Sequence, residues 1–487
     1  MLVVLAPLIA APAIVLVGRA RFAWQVALAA VVASFAAACG IAWQVSTGGA
    51  IDYALGGWEA PWGIAYHVDF LGALVVLAVT GIAVMVLTYA RPSVEREIPG
   101  SRRYYFYSCL MLCLAGLLGM TITGDVFNLF VFLEISSLSS YALIGMGRDR
   151  RALNAAFQYL VMGTIGASFI LIGIGFMYMM TGTLNMADLA QRLPEVADTR
   201  TVRAGFAFLT VGIGLKLALF PLHLWLPNVY AYAPSVVSAF LGATATKVAV
   251  YALLRIMLGI FGVEFALGEM PLHALLLGLG ALGVVSASLV AVFERNVKRM
   301  LAYSSVAQVG YMVLGIGLAS QDGVTASILH IFNHALMKGA LFLALGAVMY
   351  RIGSVHIRDL AGLGRRMPLT AAAILVAGLS LIGVPGTVGF VSKWYLVLGA
   401  FDGGMWPLAV LVLFGSVLAL AYVWRLVEAA WFTRPADDAP PVQEAPLQML
   451  VPILLLALAN LWFGIDTDLT AGLAQRAADT LLEVSRG

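Results

Sequence analysis

The feature that most limits this chain is a succession of apolar stretches, each about as long as a bilayer is thick, recurring almost from end to end. They fall near residues 2–17, 22–44, 69–90, 104–123, 126–146, 155–180, 204–221, 235–260, 270–293, 300–318, 324–350, 368–400, 405–432 and 446–465. A helix needs roughly 20 apolar residues to cross the hydrocarbon core. Fourteen such segments would overfill any water-soluble core, and only 11% of the residues are charged where soluble domains carry roughly 25%. The pattern predicts an all-α polytopic membrane protein with about 14 transmembrane helices. No hydrophilic stretch is long enough for a second soluble domain. The longest polar connection, about 181–203, has room for one short surface helix.

The few charges then become informative. The bases are dispersed and form no stripe, so nucleic-acid binding is excluded. Cys39, Cys109 and Cys113 lie in apolar runs and read as small hydrophobes. Arg19 and Arg21 follow the first apolar run instead of preceding it, the reverse of a cleavable signal, which predicts a retained first span with its N-terminus outside. With that start, the alternating loops place 17 Lys and Arg residues on the inside and five (Arg192, Arg200, Arg203, Arg476, Arg486) on the outside. This bias supports an even number of spans with both termini outside.

Two spans read as interrupted. Residues 216–227, KLALFPLHLWLP, carry Pro221 and Pro227, and residues 383–390, GVPGTVGF, carry Pro385. Proline removes a backbone donor, and free backbone groups at membrane depth persist only where protein or a water-filled cavity covers them. Broken helices in corresponding halves point to a transport site built from repeats. The two breaks lie five spans apart, which predicts two inverted five-helix repeats, about helices 4–8 and 9–13. The expected units are 1–103, 104–260, 270–432 and 446–487.

Six bases sit within spans: Lys216, Lys247, Arg255, Lys338, Lys393 and Arg425. Glu134 is the clearest intramembrane acid, and His330 and His334 share a helix face with Lys338. Each such group costs several kcal/mol unless paired or hydrated. Of the 28 bases 23 are Arg, yet four of the five lysines lie within spans. Lysine can release its proton in a protein and arginine cannot, so this partition predicts a proton relay in which Glu134 holds or frees the proton of Lys216. Arg255 reads as snorkelling to an interface, and Arg425 and Glu428, three residues apart, read as a structural pair. Asp69 and Asp125 lie at span ends and read as mostly structural. Asp125, Lys338 and His223 are the accessory candidates. His330 and His334 have helical metal-ligand spacing but no carboxylate or thiol nearby in sequence, so a packing role and a relay role stay open and a metal site is not expected. Residues 278–283, GLGALG, match a nucleotide-loop spacing but lie inside an apolar span, which indicates close helix packing. No phosphate-binding loop and no cysteine cluster appears, so no ATP hydrolysis, redox centre or cofactor is expected.

The segments TGDVFNLFVFLEISSLSSYALIG, GLKLALFPLHLWLPNVYAYAPSVVSAFLGATATKVAVYALLR, LAYSSVAQVGYMVLGIGL, ILHIFNHALMKGALFLALG and GVPGTVGFVSKWYLV together resemble one family, over about residues 60–430. It comprises the proton-translocating, antiporter-like subunits of complex I and of the Mrp-type cation/proton antiporters. The resemblance implies fourteen helices with inverted repeats and broken helices 7 and 12. It matches the family's helix-5 glutamate to Glu134, its helix-7 lysine to Lys216, its helix-8 base to Lys247, its helix-11 histidines to His330 and His334, and its helix-12 lysine to Lys393. It implies a hydrated chain of these groups across the membrane middle. A lysine at 393 fits the D-type Mrp and N-type complex I subunits, whereas the M-type carries a glutamate there. The chain ends soon after helix 14, unlike the L-type and Mrp A-type subunits. The wording around Glu134 and of GGWEAPWGIAYHVDFLGALVV is nearer the D-type, although SLIGVPGTVGFVSKW departs from the expected glycine-proline-proline form. The implied setting is a prokaryotic inner membrane, with H⁺ and Na⁺ as transported ions, lipid, and Mrp-type subunits A, B, C, E, F and G as partners. The alternative is an N- or M-type subunit of complex I or of a related membrane-bound hydrogenase.

Overall fold

In hydrocarbon a backbone must satisfy its own amides, and helices do so within one segment. The computed structural model describes residues 1–435 and 442–483, so Arg486 lies outside the described residues. The helices are α1 Leu2–Val17, α2 Ala20–Gly48, α3 Phe70–Glu97, α4 Arg103–Ile122, α5 Val126–Gly145, α6 Arg150–Thr181, α7 Met186–Arg192, α8 Arg200–Leu217, α9 Leu226–Tyr232, α10 Ser235–Met257, α11 Leu272–Phe293, α12 Val297–Gly317, α13 Gln321–Ile352, α14 Leu363–Arg366, α15 Pro368–Ile382, α16 Val388–Asp402, α17 Trp406–Val427, α18 Leu447–Ile465 and α19 Asp468–Glu483. Among the described residues, 11 helices are long and apolar enough to cross a membrane, and α1 and α15 are shorter apolar helices. Each expected apolar segment coincides with helix. The polar connection 181–203 holds the short helix α7.

The breaks follow from backbone chemistry. α8 ends where Ala218 turns left-handed at φ 60°, and α15 ends where Gly383 does so at φ 94°. Pro221 lies in the turn before α9 and Pro385 in the turn before α16. Pro227 does not break a helix; it occupies the first turn of α9, where its missing N–H costs nothing. Aligned on their prolines, GLKLALFP (214–221) and GLSLIGVP (378–385) share Gly, Leu, Leu and Pro.

A backbone bridge marks the repeat and its inversion. Asp125, just before α5, pairs with Asn185, after α6; Asn296, just before α12, pairs with His356, after α13. Both partners lie 60 positions on, 125 to 185 and 296 to 356. Asn185 lines a cavity of about 570 Å³ together with Asp52, His67, Asp69 and Arg255. Asn296 and His356 line another, of about 490 Å³, together with Arg96, Arg148 and Lys298. The first cavity gathers the α2–α3, α4–α5 and α6–α7 connections, and the second gathers the α5–α6, α9–α10 and α11–α12 connections. These are the opposite ends that a fourteen-span alternation requires, so equivalent bridges sit at opposite faces of the bundle. The second face carries the arginine-rich loops and is called the basic face below.

α13 is buried along its length at the centre, packed by α10, α12, α16, α18 and α3. Close contact between α11 and α12 depends on glycine: a Cβ on Gly310 would lie 2.8 Å from the Gly280 carbonyl oxygen. The GLGALG run therefore serves helix packing through Gly280, as its apolar setting indicated. A hairpin and a terminal amphipathic helix lie outside the apolar spans. The hairpin, β1 Ile51–Ala54 with β2 Ala65–Val68, pairs Ile51 opposite Val68 between α2 and α3. The amphipathic α19 packs on α3 and α13, and Gln321 Nε2 donates to Asp479 Oδ1 at 2.6 Å.

Two sequence readings need correction. Arg255 does not snorkel: it is buried and forks onto Asp69, Nη1 to Oδ2 at 2.8 Å and Nη2 to Oδ1 at 2.7 Å. Bidentate pairing satisfies a buried guanidinium better than an interface would at that depth. Arg425 does not pair with Glu428. Its Nη1 donates to the Val292 and Glu294 carbonyls, the latter at 2.9 Å, and so caps the C-terminal end of α11, where carbonyls lack helical partners.

Candidate functional site

Lys216 sits in the last turn of α8, next to the break. Its Nζ donates to Ser137 Oγ of α5 at 2.7 Å and stands 3.5 Å from Glu134 Oε1. Glu134 and Ser137 face the same partner because they are three residues apart on α5. The lysine is buried; the carboxylate is about a quarter exposed, and its Oε1 accepts no hydrogen bond. The 3.5 Å contact is a loose ion pair, with the ammonium bonded to the Ser137 hydroxyl as well.

The second group centres on α13. Lys247 of α10 donates to the Gly242 carbonyl and, at 3.4 Å, to Thr246 Oγ1. His334 is fully buried with no partner at either ring nitrogen, and its charged neighbours are Lys247 and Lys338. Its ring stacks on His330, with centroids 5.8 Å apart. His330 Nδ1 lies 2.7 Å from Ser392 Oγ, and Nε2 lies 2.8 Å from Gln308 Oε1. Lys338 donates to the Leu301 carbonyl at 2.7 Å and to Ser304 Oγ. Lys393 of α16 donates to the Leu381 and Ile382 carbonyls at 3.2 and 2.8 Å and to Ser416 Oγ at 3.0 Å. Its ammonium lies 4.8 Å from the Tyr311 ring centroid. Leu381 and Ile382 close α15, so the break in the twelfth span leaves the carbonyls that hold the lysine. Three acceptors match the three donors of an ammonium.

The structure thus collects the expected residues into two groups. Glu134 meets Lys216, while Lys247, His334, Lys338, His330 and Lys393 gather around α13, with the His330–His334 stack as the direct contact among them and Tyr311 touching both His330 and Lys393. The accessory candidates fall outside both or join one. Lys338 belongs to the cluster. His223 lies in the turn between α8 and α9, stacked on Phe220 with centroids 5.4 Å apart. Asp125 caps α5 by accepting the Asn128 N–H at 2.7 Å, and burial raises its carboxyl above the ordinary range, against the lowering effect of that bond. No group of three or more His, Cys, Asp or Glu residues with metal-site geometry occurs among the described residues.

Sequence reasoning missed the hydroxyls. Every one of the five lysines donates to one: Lys216 to Ser137, Lys247 to Thr246, Lys298 to Ser235, Lys338 to Ser304 and Lys393 to Ser416. It also misplaced Lys298 in a loop. Lys298 is buried in the first turn of α12, so all five lysines are buried, whereas Arg255 is the one buried arginine among the described residues. On α12 the polar positions 304, 308 and 311 recur at helical spacing, the signal that could have exposed this face.

Residues 123–419 match the family described as NADH:quinone oxidoreductase/Mrp antiporter, TM. The chain is 43% identical over 430 residues to the N-type subunit of the NADH-quinone oxidoreductase of Desulforudis audaxviator (strain MP104C), covering 85% of each. It is 32% identical over 438 residues to the D-type subunit of the Na(+)/H(+) antiporter of Bacillus subtilis (strain 168), covering 90% of this chain and 87% of that one. Its fold superposes on a chain of the Mrp complex from Dietzia sp. DQ12-45-1b with a TM-score of 0.90 and 26% identity, covering 99% of this chain and 96% of that one. This chain is therefore a multi-pass membrane protein belonging to the NADH:quinone oxidoreductase/Mrp antiporter family.

Proposed function

We propose that this chain is the proton-translocating membrane subunit of a multisubunit cation (Na⁺)/proton antiporter. It works beside partner membrane subunits of Mrp type (A, B, C, E, F and G) in a prokaryotic inner membrane, with both termini outside. The observation that carries the reading is Lys216, buried beside a helix break, 3.5 Å from Glu134 and bonded to Ser137. Lysine in that setting holds its proton while the carboxylate is close and yields it when the pair opens. The proton then passes through Lys247 and the stacked histidines to Lys393, the two units near 104–260 and 270–432 serving as half-channels to opposite faces.

The test is antiport in everted vesicles from cells carrying the whole complex with Glu134→Ala or Lys216→Ala. Loss of transport at equal assembly is expected, and wild-type rates in both would sink the reading. A second reading, a pump subunit of a redox-driven complex, is favoured by the higher identity to the N-type oxidoreductase relative, 43% against 32%. Flavin or iron–sulfur absorbance in the purified complex separates the two.

A further inference from the structure

The relay leaves one buried lysine unused. Lys298 Nζ donates to Ser235 Oγ at 3.1 Å, and the backbone N–H of the same serine donates to Glu97 Oε2 at 2.9 Å. Glu97 Oε1 accepts in turn from Ser93 Oγ at 2.7 Å. A lysine, a serine and a glutamate from three helices (α12, α10 and α3) thus repeat the composition of Lys216, Ser137 and Glu134. The lysine is again buried, 2% exposed. Lys298 and Glu97 both line the 490 Å³ cavity on the basic face.

Lys298 also opens α12, whose polar face of Ser304, Gln308 and Tyr311 starts about one and two-thirds turns further on. Ser304, six residues on and so about 9 Å along the axis, holds Lys338; Gln308 bonds His330; Tyr311 lies under Lys393. α12 therefore carries Lys298 at the 490 Å³ cavity and, from Ser304 onward, a face that meets three members of the cluster. The charged groups that face Lys298 around the cavity are Arg96 and Glu97 from α3, Arg148 and Asp149 before α6, Arg151 of α6, and His356 after α13.

We infer that Lys298, Ser235 and Glu97 form a second carboxylate-gated proton-loading station, which feeds the α13 cluster from the basic face. A proton from cavity water binds a Glu97 carboxylate oxygen. It crosses through the cavity water to the Lys298 amine, which is held by the Ser235 hydroxyl and has given its own proton toward Lys338. One proton enters for each that leaves, and no other bond changes. This rests on the proton-translocating reading above and assigns that reading its entrance.

The experiment compares Glu97→Gln, Lys298→Arg, Ser235→Ala and Lys216→Ala in vesicles containing the whole complex, with assembly quantified and transport followed against pH. Glu97→Gln and Lys298→Arg are expected to assemble and to transport at a tenth of the wild-type rate or less, and Glu97→Gln to move the pH profile of what remains. A merely structural Lys298 would tolerate arginine, which keeps the charge but not the titration. Wild-type rates and pH profile in both, with Lys216→Ala inactive, would overturn the entrance alone. Wild-type transport in Lys216→Ala as well would overturn the proton-translocating reading and this inference with it. Should Lys298→Arg not assemble, Ser235→Ala decides: a reduced rate supports the station, and an unchanged rate overturns it.

Discussion

Two ion pairs within this bundle are built in opposite ways. Arg255 and Asp69 lock through two hydrogen bonds of 2.7 and 2.8 Å, and Tyr251 Oη accepts a third from Arg255 Nε at 3.2 Å. Lys216 and Glu134 touch at one point, 3.5 Å apart, with Ser137 bonded to the same ammonium. The first pair uses a guanidinium that cannot deprotonate and ties α10 to the start of α3. The second uses an amine that can, at the end of a broken helix. Burying charge is costly in either case. The arginine pair offsets that cost with two short bonds, whereas the lysine pair has a single 3.5 Å contact and a serine bond.

Substitutions can break this contrast. The largest expected effect is on stability. Asp69→Asn leaves Arg255 buried and unpaired and should destabilise the fold by about 3–5 kcal/mol, read as a lower Tm of the detergent-purified complex, with transport per assembled complex unchanged. An unchanged Tm would show that the arginine pair is no clamp. Lys216→Arg should do the reverse: near-normal Tm, but transport lowered on the order of a hundredfold, the scale for losing a positioned proton-transfer group. Substantial transport through Lys216→Arg would mean that only the charge matters there. Glu134→Gln keeps the shape but removes the counter-charge beside the buried ammonium, and should lower transport about tenfold; vesicle antiport measures it. Smallest is Ser137→Ala, which removes one hydrogen bond worth about 1 kcal/mol and should slow transport by about fivefold with no change in assembly.

What could be read from sequence follows the size of each physical penalty. A charge in hydrocarbon is conspicuous by itself, so Glu134, Lys216, Lys247 and Lys393 stood out without partners. Their partners did not, because a serine in an apolar helix ordinarily bonds back to its own backbone, as Ser140 does to Ser136. Nothing local distinguishes Ser137 or Ser416. Asp69 lies 186 positions from Arg255, so the clamp looked like a snorkelling arginine. Lys298 was assigned to a loop because the apolar window opens at 300, whereas the Asn296 cap starts α12 at Val297 and draws the lysine into its first turn. The breaks were visible as proline and glycine, and their five-span separation gave the inverted repeat, but its backbone signature was not visible. That signature is the pair of bridges, Asp125–Asn185 and Asn296–His356, which backbone atoms make irrespective of side chain.

The hydroxyl beside each lysine has one more consequence. A water molecule around an ion can turn, offering its oxygen to an ammonium and its hydrogen to an amine. A serine or threonine hydroxyl can make the same turn by rotating about a single bond, with no heavy atom displaced. Each lysine thus keeps a fixed piece of its lost hydration shell. Its change of charge requires only the swing of a hydrogen at that contact, so the protein supplies a tethered solvent where bulk solvent does not reach.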